Sequence, residues 1–336
     1  MALTKVSTAV VDLSGNTGAL EIAKGTTSER NAILSPTLGL LRANTTDNTM
    51  EVYTDNSGTP GWQVLAEGGG ILPPLTVDYL VVGGGGAGQG VRGGGGGAGG
   101  LIATTTYGGS ENAVTLSPSN YTFGVTIGTG GVGVQNAASY GANGGASTIG
   151  ITGSTQTAYG GGGGGASTLP GRPGGSGGGG GNGGSGYSNQ GGAVLDSTAE
   201  CSPGGRSPSF TDAGGGGGAT GPTPAGFFNL GATGLISDIT GTSATYAVGG
   251  RGGYGSQGSA NGVDAAANTG SGGSGMFDGY SIGGQTAGSG GSGIVILRYP
   301  RDYIIAKTGS LISSDATVGS DTVTTFLSGT GTITFS

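Results

Sequence analysis

Apolar residues in this chain come in short bursts. Val-Asp-Tyr-Leu-Val-Val at 77–82 is nearly continuous, and Ile-Val-Ile-Leu-Arg-Tyr at 294–299 has the same texture. Runs of this length, rich in β-branched and aromatic residues, predict buried strands. Shorter runs at 101–106 and 121–127 predict two more. Before residue 70, 19–22 alternates and 38–41 and 50–53 are strand-like. The turn-rich Asn-Thr-Thr-Asp-Asn at 44–48 separates the last two, and Trp62 follows a turn at 56–61. This predicts two or three short strands in a hairpin, with Trp62 over one end. Strands are also expected at 303–306, 322–327 and 332–335. Almost no α-helix is expected anywhere.

Composition explains what lies between the bursts. There are 87 glycines in 336 residues. Many stand in solid runs, at 83–86, 93–97, 160–165, 177–181 and 214–218. Each costs about 1 kcal/mol in a helix relative to Ala, and in a strand it has no side chain to pack. A flexible linker is the ordinary reading of such a run. The apolar strands that bracket the region argue otherwise, because a linker needs no matching clamps at its two ends. A bundle of polyglycine II helices, the glycine form of polyproline II, is the leading expectation, with disorder as the alternative. Each such helix is threefold, rises about 3.1 Å per residue and has no internal hydrogen bonds. Its N–H and C=O groups point outward, where parallel neighbours can satisfy them. Glycine is then required wherever two backbones touch. Collagen is rejected, since the strict Gly-X-Y period fails at 103–107.

Charge and rare residues narrow the chemistry. Eleven Lys and Arg stand against 18 Asp and Glu, with no His. No basic stripe exists to release counterions, so nucleic-acid binding is not expected. Cys201 is the single cysteine and reads as a small buried or loop residue. No stretch of about 20 apolar residues is present, so no membrane insertion is expected. The N-terminal Met-Ala-Leu-Thr-Lys-Val-Ser-Thr lacks the apolar core of a signal peptide. Synthesis in the cytosol without standard export is the corresponding expectation.

Formal motifs fail on context. Gly83-x-Gly85-x-x-Gly88 after the strand at 77–82 matches a dinucleotide fingerprint, but more glycine follows where a helix is needed, and 101–106 carries no acid. None of Lys5, Lys24 and Lys307 stands in a P-loop. Without His, zinc sites and Ser-His or Cys-His nucleophiles lack their parts. The carboxylates are scattered, although a pair for glycan cleavage is a spacing that sequence does not reveal. The expectation is a protein that is not an enzyme, with no cofactor and no metal.

Domain limits follow as 1–66, a β-module; 67–76, a linker; 77–300, the glycine-rich domain; and 301–336, terminal β-strands. The fold class is all-β plus a polyglycine II helix bundle. Residues 1–66 are too few for a good core alone, which favours oligomerisation.

Five stretches carry a family resemblance. Gly-Ala-Leu-Glu-Ile-Ala-Lys-Gly-Thr-Thr-Ser-Glu-Arg at 18–30, Gly-Leu-Leu-Arg-Ala-Asn-Thr-Thr-Asp-Asn-Thr-Met-Glu-Val-Tyr at 39–53 and Trp62 are together similar to the short β-module of bacteriophage tail fibres. Val-Asp-Tyr-Leu-Val-Val-Gly-Gly-Gly-Gly at 77–86 and Gly-Gly-Ser-Gly-Ile-Val-Ile-Leu-Arg-Tyr-Pro at 290–300 resemble the opening and closing of the glycine-rich domain of phage fibres and adhesins. Gly-Thr-Gly-Thr-Ile-Thr-Phe at 329–335 resembles the terminal strand that follows it. The resemblance implies a homotrimeric fibre or tip protein on a virion assembled in the host cytoplasm. Its implied partners are copies of itself, phage tail or baseplate proteins, and a host cell-surface glycan or outer-membrane protein. A purely structural shaft or decoration protein is the alternative, and a glycine-rich ice-binding protein a weaker one. The aromatics between glycine runs either cap the bundle or contact a receptor, as large, low-entropy side chains do. The candidate receptor contacts are Tyr187, Phe210, Phe227, Phe228, Phe277 and Tyr280.

Overall fold

The computed structural model describes residues 22–47, 49–56, 59–65, 75–90, 92–117, 121–135, 139–151, 153, 155–183, 189–195, 199–207, 212–221, 229–254, 260–276 and 285–336. The chain divides into two compact units, Met1–Pro74 and Leu75–Ser336.

In the first unit, β1 (Lys24–Gly25), α1 (Thr27–Asn31), β2 (Leu41–Asn44), β3 (Thr49–Asn56) and β4 (Thr59–Val64) follow in sequence. The strands form one sheet in chain order, β1 parallel to β2 and the rest antiparallel. The helix is short, but it is capped from both sides. Glu29 N–H donates to Thr26 Oγ1 at 3.2 Å, and Thr26 N–H donates to Glu29 Oε2 at 2.7 Å. These bonds hold the Glu29 carboxyl below its ordinary range, the Thr26 backbone bond first. The unit buries polar groups and exposes apolar ones. Arg42, Asn44 and Glu51 are buried, and Glu51 takes Arg30 at 2.7 Å, Arg42 at 3.4 Å and Asn44 at 2.8 Å. Leu34 is 91% and Leu38 61% exposed. Trp62 stacks edge-on against Tyr53 at 5.4 Å, with the Arg42 guanidinium 5.8 Å from its ring.

The strands of the second unit are β5 (Leu75–Val82), β6 (Leu101–Ala103), β7 (Val114–Leu116), β8 (Thr122–Thr126), β9 (Ser147–Ile149), β10 (Gln156–Ala158), β11 (Leu235–Ser237), β12 (Ala244–Tyr246), β13 (Ile294–Pro300), β14 (Ile305–Lys307), β15 (Ile312–Val318), β16 (Asp321–Ser328) and β17 (Thr330–Phe335). One sheet runs β15-β16-β13-β5-β6, with β7 also on β5, and another runs β10-β9-β8-β17-β14. The opening and closing strands of the glycine-rich region pair directly, Ile294 with Val82 through Arg298 with Asp78. Asp78 and Arg298 are opposite each other but bond elsewhere. Asp78 accepts from Thr104 Oγ1 at 2.7 Å, while Arg298 meets Asp321 at 2.8 Å and lies 5.4 Å from the Tyr107 ring. Leu80, Val82, Ile294 and Ile296 pack with Leu235, Ile239 and Tyr246 of the β11–β12 hairpin and with Ala98 and Ala219 of the glycine segments. Between the two large sheets lies an aromatic layer, with Tyr299 against Phe335 at 5.0 Å and Phe123 against Phe335 at 6.0 Å.

Much of the described chain between these strands is extended, neither helix nor sheet, and is ordered by lateral hydrogen bonds. In segment 83–89 the donors rotate with a period of three, all at 2.8–3.0 Å. Gly83, Gly86 and Gln89 donate to Gly100, Gly97 and Gly94. Gly84 and Ala87 donate to Gly145 and Ala142, and Gly85 and Gly88 to Gly291 and Gly288. Its carbonyls take Gly161 and Gly164, Gly131, and Gly273 and Met276 from three further segments. Segment 93–100 is likewise enclosed, donating to 159–165, 214–217 and 270–273 and accepting from 83–89, 176–179 and 250–253. This is a threefold helix surrounded on six sides, the polyglycine II arrangement.

The glycines are there for approach and not for unusual torsion. None in the five solid runs has a left-handed φ. A Cβ on Gly162 would collide with the carbonyl of Arg172, and one on Gly216 with that of Gly96.

Several elements differ from the sequence expectation. The strand expected over 101–106 stops at Ala103 and passes into a 3-10 turn at Thr105–Tyr107. The turn expected over 56–61 is narrower, since Gly61 lies inside β4. The helix α1 and strands β1, β7, β9 to β12 and β15 were not expected. Most are three residues long and take their stability from the bundle or sheet beside them.

Two outcomes follow from this packing. Gly162→Val and Gly216→Val each strand a buried backbone pair, at about 1–3 kcal/mol per unpaired group, and add a steric clash. Both should lower the melting temperature clearly, whereas Gly124→Ala, whose Cβ meets only the Gly331 carbonyl at 3.9 Å, should not. Equal melting curves for all three would contradict the lattice. The second concerns alkali. Burial, with the Glu111 charge adding, pushes the Tyr79 phenol up to about 12. Because the folded value lies above the unfolded value of about 10, this contribution is whole below pH ~10 and is lost as pH rises through the folded value. Stability should fall across that window in thermal melts, and Tyr79→Phe should flatten the slope.

Candidate functional site

The second unit has two unlike ends. All its sheets lie where segments 83–89 and 93–100 join β5 and β6, at Gly83 and Gly100. The opposite end is marked by Gln89, Arg92 and Met276. There Met276 N–H donates to the Gln89 carbonyl at 3.1 Å and Asn182 N–H to the Arg92 carbonyl at 2.9 Å. Ser207 N–H donates to the Asn189 carbonyl at 2.9 Å at the same level.

The six candidate contacts, Tyr187, Phe210, Phe227, Phe228, Phe277 and Tyr280, lie outside the described residues. Their described flanks are informative. Asn182 and Asn189, on either side of residues 184–188 in sequence, are the last and first lattice residues there. Residues 208–211 follow Ser207, and 277–284 follow Met276. Asn229, after Phe227 and Phe228, accepts from Gly252 N–H at 2.8 Å, one residue before Gly253 bonds Gly93. These flanking residues are therefore at or near the end remote from the sheets.

Side chains fasten that end. Gln89, fully buried, accepts Gly90 N–H on Oε1 at 2.8 Å and donates from Nε2 to the Ser139 carbonyl. Asn189 donates from Nδ2 to the Gly181 carbonyl at 2.6 Å and to the Ser167 carbonyl at 3.1 Å. Ser207 Oγ donates to the Asp212 carbonyl at 2.8 Å. Each is a polar side chain ending a glycine strand, replacing lattice bonds where the neighbouring backbone turns away. Arg172 lies over Tyr140 at 5.2 Å, and Arg251 over Tyr254 at 5.5 Å. Tyr140 is 36% exposed, and Tyr159, near the sheet end, 42%. The segment 83–89 enters no helix, so the dinucleotide fingerprint has no structural counterpart. Among the described residues no His, Cys, Asp or Glu cluster could hold a metal, and no helix is long and apolar enough to cross a membrane.

A model of the family described as "Glycine-rich domain" matches residues 71–300. The chain belongs to this family. The match begins just before β5 and ends with β13, the two paired strands that close the domain. No curated protein and no solved structure matches the chain. The ties at Gln89 and Asn189 were not singled out in the sequence reading. The signal available was an amide side chain beside each glycine run, Gln89 after 83–88 and Asn189, followed by Gln190, before 191–192.

Asn189→Ala removes both amide bonds and leaves two carbonyls short of a donor, a loss of about 1–3 kcal/mol per buried group. Hydrogen exchange should speed up at Gly181 and Asn182 while β5 and β13 keep their protection. Unchanged exchange at those amides would show that the tie does not hold this end.

Proposed function

We propose that this glycine-rich domain protein is a homotrimeric phage tail-fibre protein, a non-enzymatic adhesin of the virion that mediates host recognition. The observation that carries the reading is the asymmetry of the second unit. A laterally bonded bundle has its sheets at one end, and Asn182, Asn189, Ser207 and Met276, the lattice residues that flank the segments of Tyr187, Phe210, Phe277 and Tyr280 in sequence, lie at the other. A stiff scaffold presenting variable connections is the arrangement in which loops carry recognition. Polyglycine II strands suit the task, because they need few side chains in the interior and leave the ends free to vary.

Self-association through residues 1–66 is supported by the inverted burial of that module. On one face of its sheet Leu41 and Met50 are 42% and 37% exposed, while Arg42 and Glu51 are buried on the other. An apolar sheet face left in water is a surface suited to copies of itself. The acidic charge speaks against adhesion to an anionic envelope by attraction alone, so recognition would rest on shape and aromatic contact with a surface glycan or outer-membrane protein. The absence of His from the sequence supports a role in binding and not in catalysis.

Two measurements on the full chain test this. Solution mass should be three times the chain mass, and Leu41→Asp with Met50→Asp should reduce it to the monomer. Labelled protein should decorate host cells and compete with phage adsorption, and Tyr187→Ala with Phe210→Ala should weaken binding at least tenfold without lowering the melting temperature. A trimer that binds no cell and blocks no adsorption would leave the structural shaft as the better account. A monomer would remove the fibre reading altogether.

A further inference from the structure

The lattice stops short on one flank. Segment 270–276 is bonded to five neighbours. Gly96 and Gly99 donate to it from 93–100, Gly288 and Gly291 from 285–293. It donates from Gly273 and Met276 to 83–89, from Gly272 and Gly275 to 247–254, and from Ser274 to Val263 of 261–266. A threefold helix in this lattice has six sides. Among the described residues, no strand stands on the sixth, between 247–254 and 261–266. A groove of about 300 Å³ runs there, with Ser271, Gly272 and Ser274 as its floor and Arg251, Val263 and Asp264 on its walls.

The chemistry of the floor shows what kind of neighbour fits. Ser271 and Ser274 are one threefold turn apart. Ser271 Oγ accepts Val248 N–H at 3.3 Å, and Ser274 Oγ accepts Val263 N–H at 2.6 Å. The two hydroxyls take bonds that the carbonyls of a sixth strand would otherwise accept. One turn beyond Val248 the substitution ends. Among the described residues, Arg251 N–H has no acceptor and the Gly272 carbonyl has no donor. The groove thus offers one free donor and one free acceptor, both from backbone. Its walls carry one charge of each sign, Arg251 and Asp264, the latter accepting Ser289 N–H at 2.6 Å. Val263, 64% exposed, adds an apolar lip.

We propose that this groove docks an extended polypeptide strand in the left-handed threefold conformation, rich in glycine and supplied by another protein. Such a strand presents N–H and C=O groups sideways, with a repeat of three residues and about 3.1 Å rise each. That repeat is the one on which Val248, Arg251, Ser271 and Ser274 are spaced. Glycine is needed where the strand meets the Gly272 backbone, for the reason that holds throughout the lattice. A second copy has little to lend, since segments such as 83–89 and 93–100 are already enclosed by their own neighbours. The inference is independent of the host-recognition reading.

The test is an amide titration of the isotope-labelled full chain with the synthetic peptide Gly-Gly-Ser-Gly-Gly-Ser-Gly-Gly-Ser at up to millimolar concentration. Shifts should be confined to Arg251, Val263 and residues 271–274, and exchange of the Arg251 amide should slow at least severalfold. An all-proline peptide has the same conformation but no N–H, and should bind at least tenfold more weakly. Val263→Trp or Asp264→Trp, both at exposed positions, should fill the groove and abolish the shifts while other amides stay in place. The proposal fails if no shift appears at Arg251 or Gly272, or if the shifts persist in both tryptophan variants. Concentration-dependent shifts at these amides without peptide would overturn the assignment to another chain in favour of a second copy.

Discussion

Two backbones can hydrogen-bond sideways as threefold helices only if nothing stands between them. That requirement governs the second unit. The N–H of one segment reaches the carbonyl of the next at 2.8–3.0 Å around Gly83–Gln89, and a Cβ on Gly83, Gly84, Gly85, Gly86 or Gly88 would strike backbone. Glycine is usually costly in a fold because it gives up the most conformational freedom. Here that loss is offset by a lattice in which nearly every backbone group of an interior segment finds a partner. The interior holds together without a side-chain core, which is why a chain with only 33% hydrophobic residues forms a compact unit.

A lattice of this kind has no intrinsic place to stop and no intrinsic register along the strand. The sheets provide both. Pairing of Val82 with Ile294 fixes where the first and last segments begin, and the side chains of β5 and β13 seat on Ala98 and Ala219 of the glycine segments themselves. On the other face the aromatic layer around Phe335 joins the chain's last strand to β8 and to β13. Residues 301–336 are thus woven into the same unit, supplying β14, β15, β16 and β17 to its two main sheets.

Much of this was legible in the sequence. The bracketing strands at 77–82 and 294–299 were plain from their β-branched runs, and they pair with each other. Lateral order in the glycine runs followed from the need to satisfy backbone groups. The shorter elements were not legible for a physical reason. Strands such as Gln156–Ala158 and Ala244–Tyr246 form hairpins with Ser147–Ile149 and Leu235–Ser237, and at three residues each they are too short to leave an alternating pattern. The helix at Thr27–Asn31 did leave a signal, the Thr-x-x-Glu capping box at 26–29, which strand-like surroundings obscured. The candidate contact residues lie outside the described structure, so only the lattice residues that flank them in sequence bear on them.

One regularity was present in the sequence and is explained only by the lattice. In Val248-Gly-Gly-Arg251-Gly-Gly-Tyr254 the glycines are buried and every third residue is partly or fully exposed. An outer strand can carry a side chain only on the side where it lacks a neighbour, and a threefold helix returns to that side every third residue. The spacing of non-glycine residues therefore reports which side of a strand is open. Where the open side faces solvent it bears Arg and Tyr. Where it faces a groove between two strands, as at Ser271 and Ser274, it bears hydroxyls that complete the neighbours' bonds. An interior strand such as 93–97 has no open side, and there the run of glycine is unbroken. Local period, and not glycine content, is what distinguishes the edge of such a bundle from its centre.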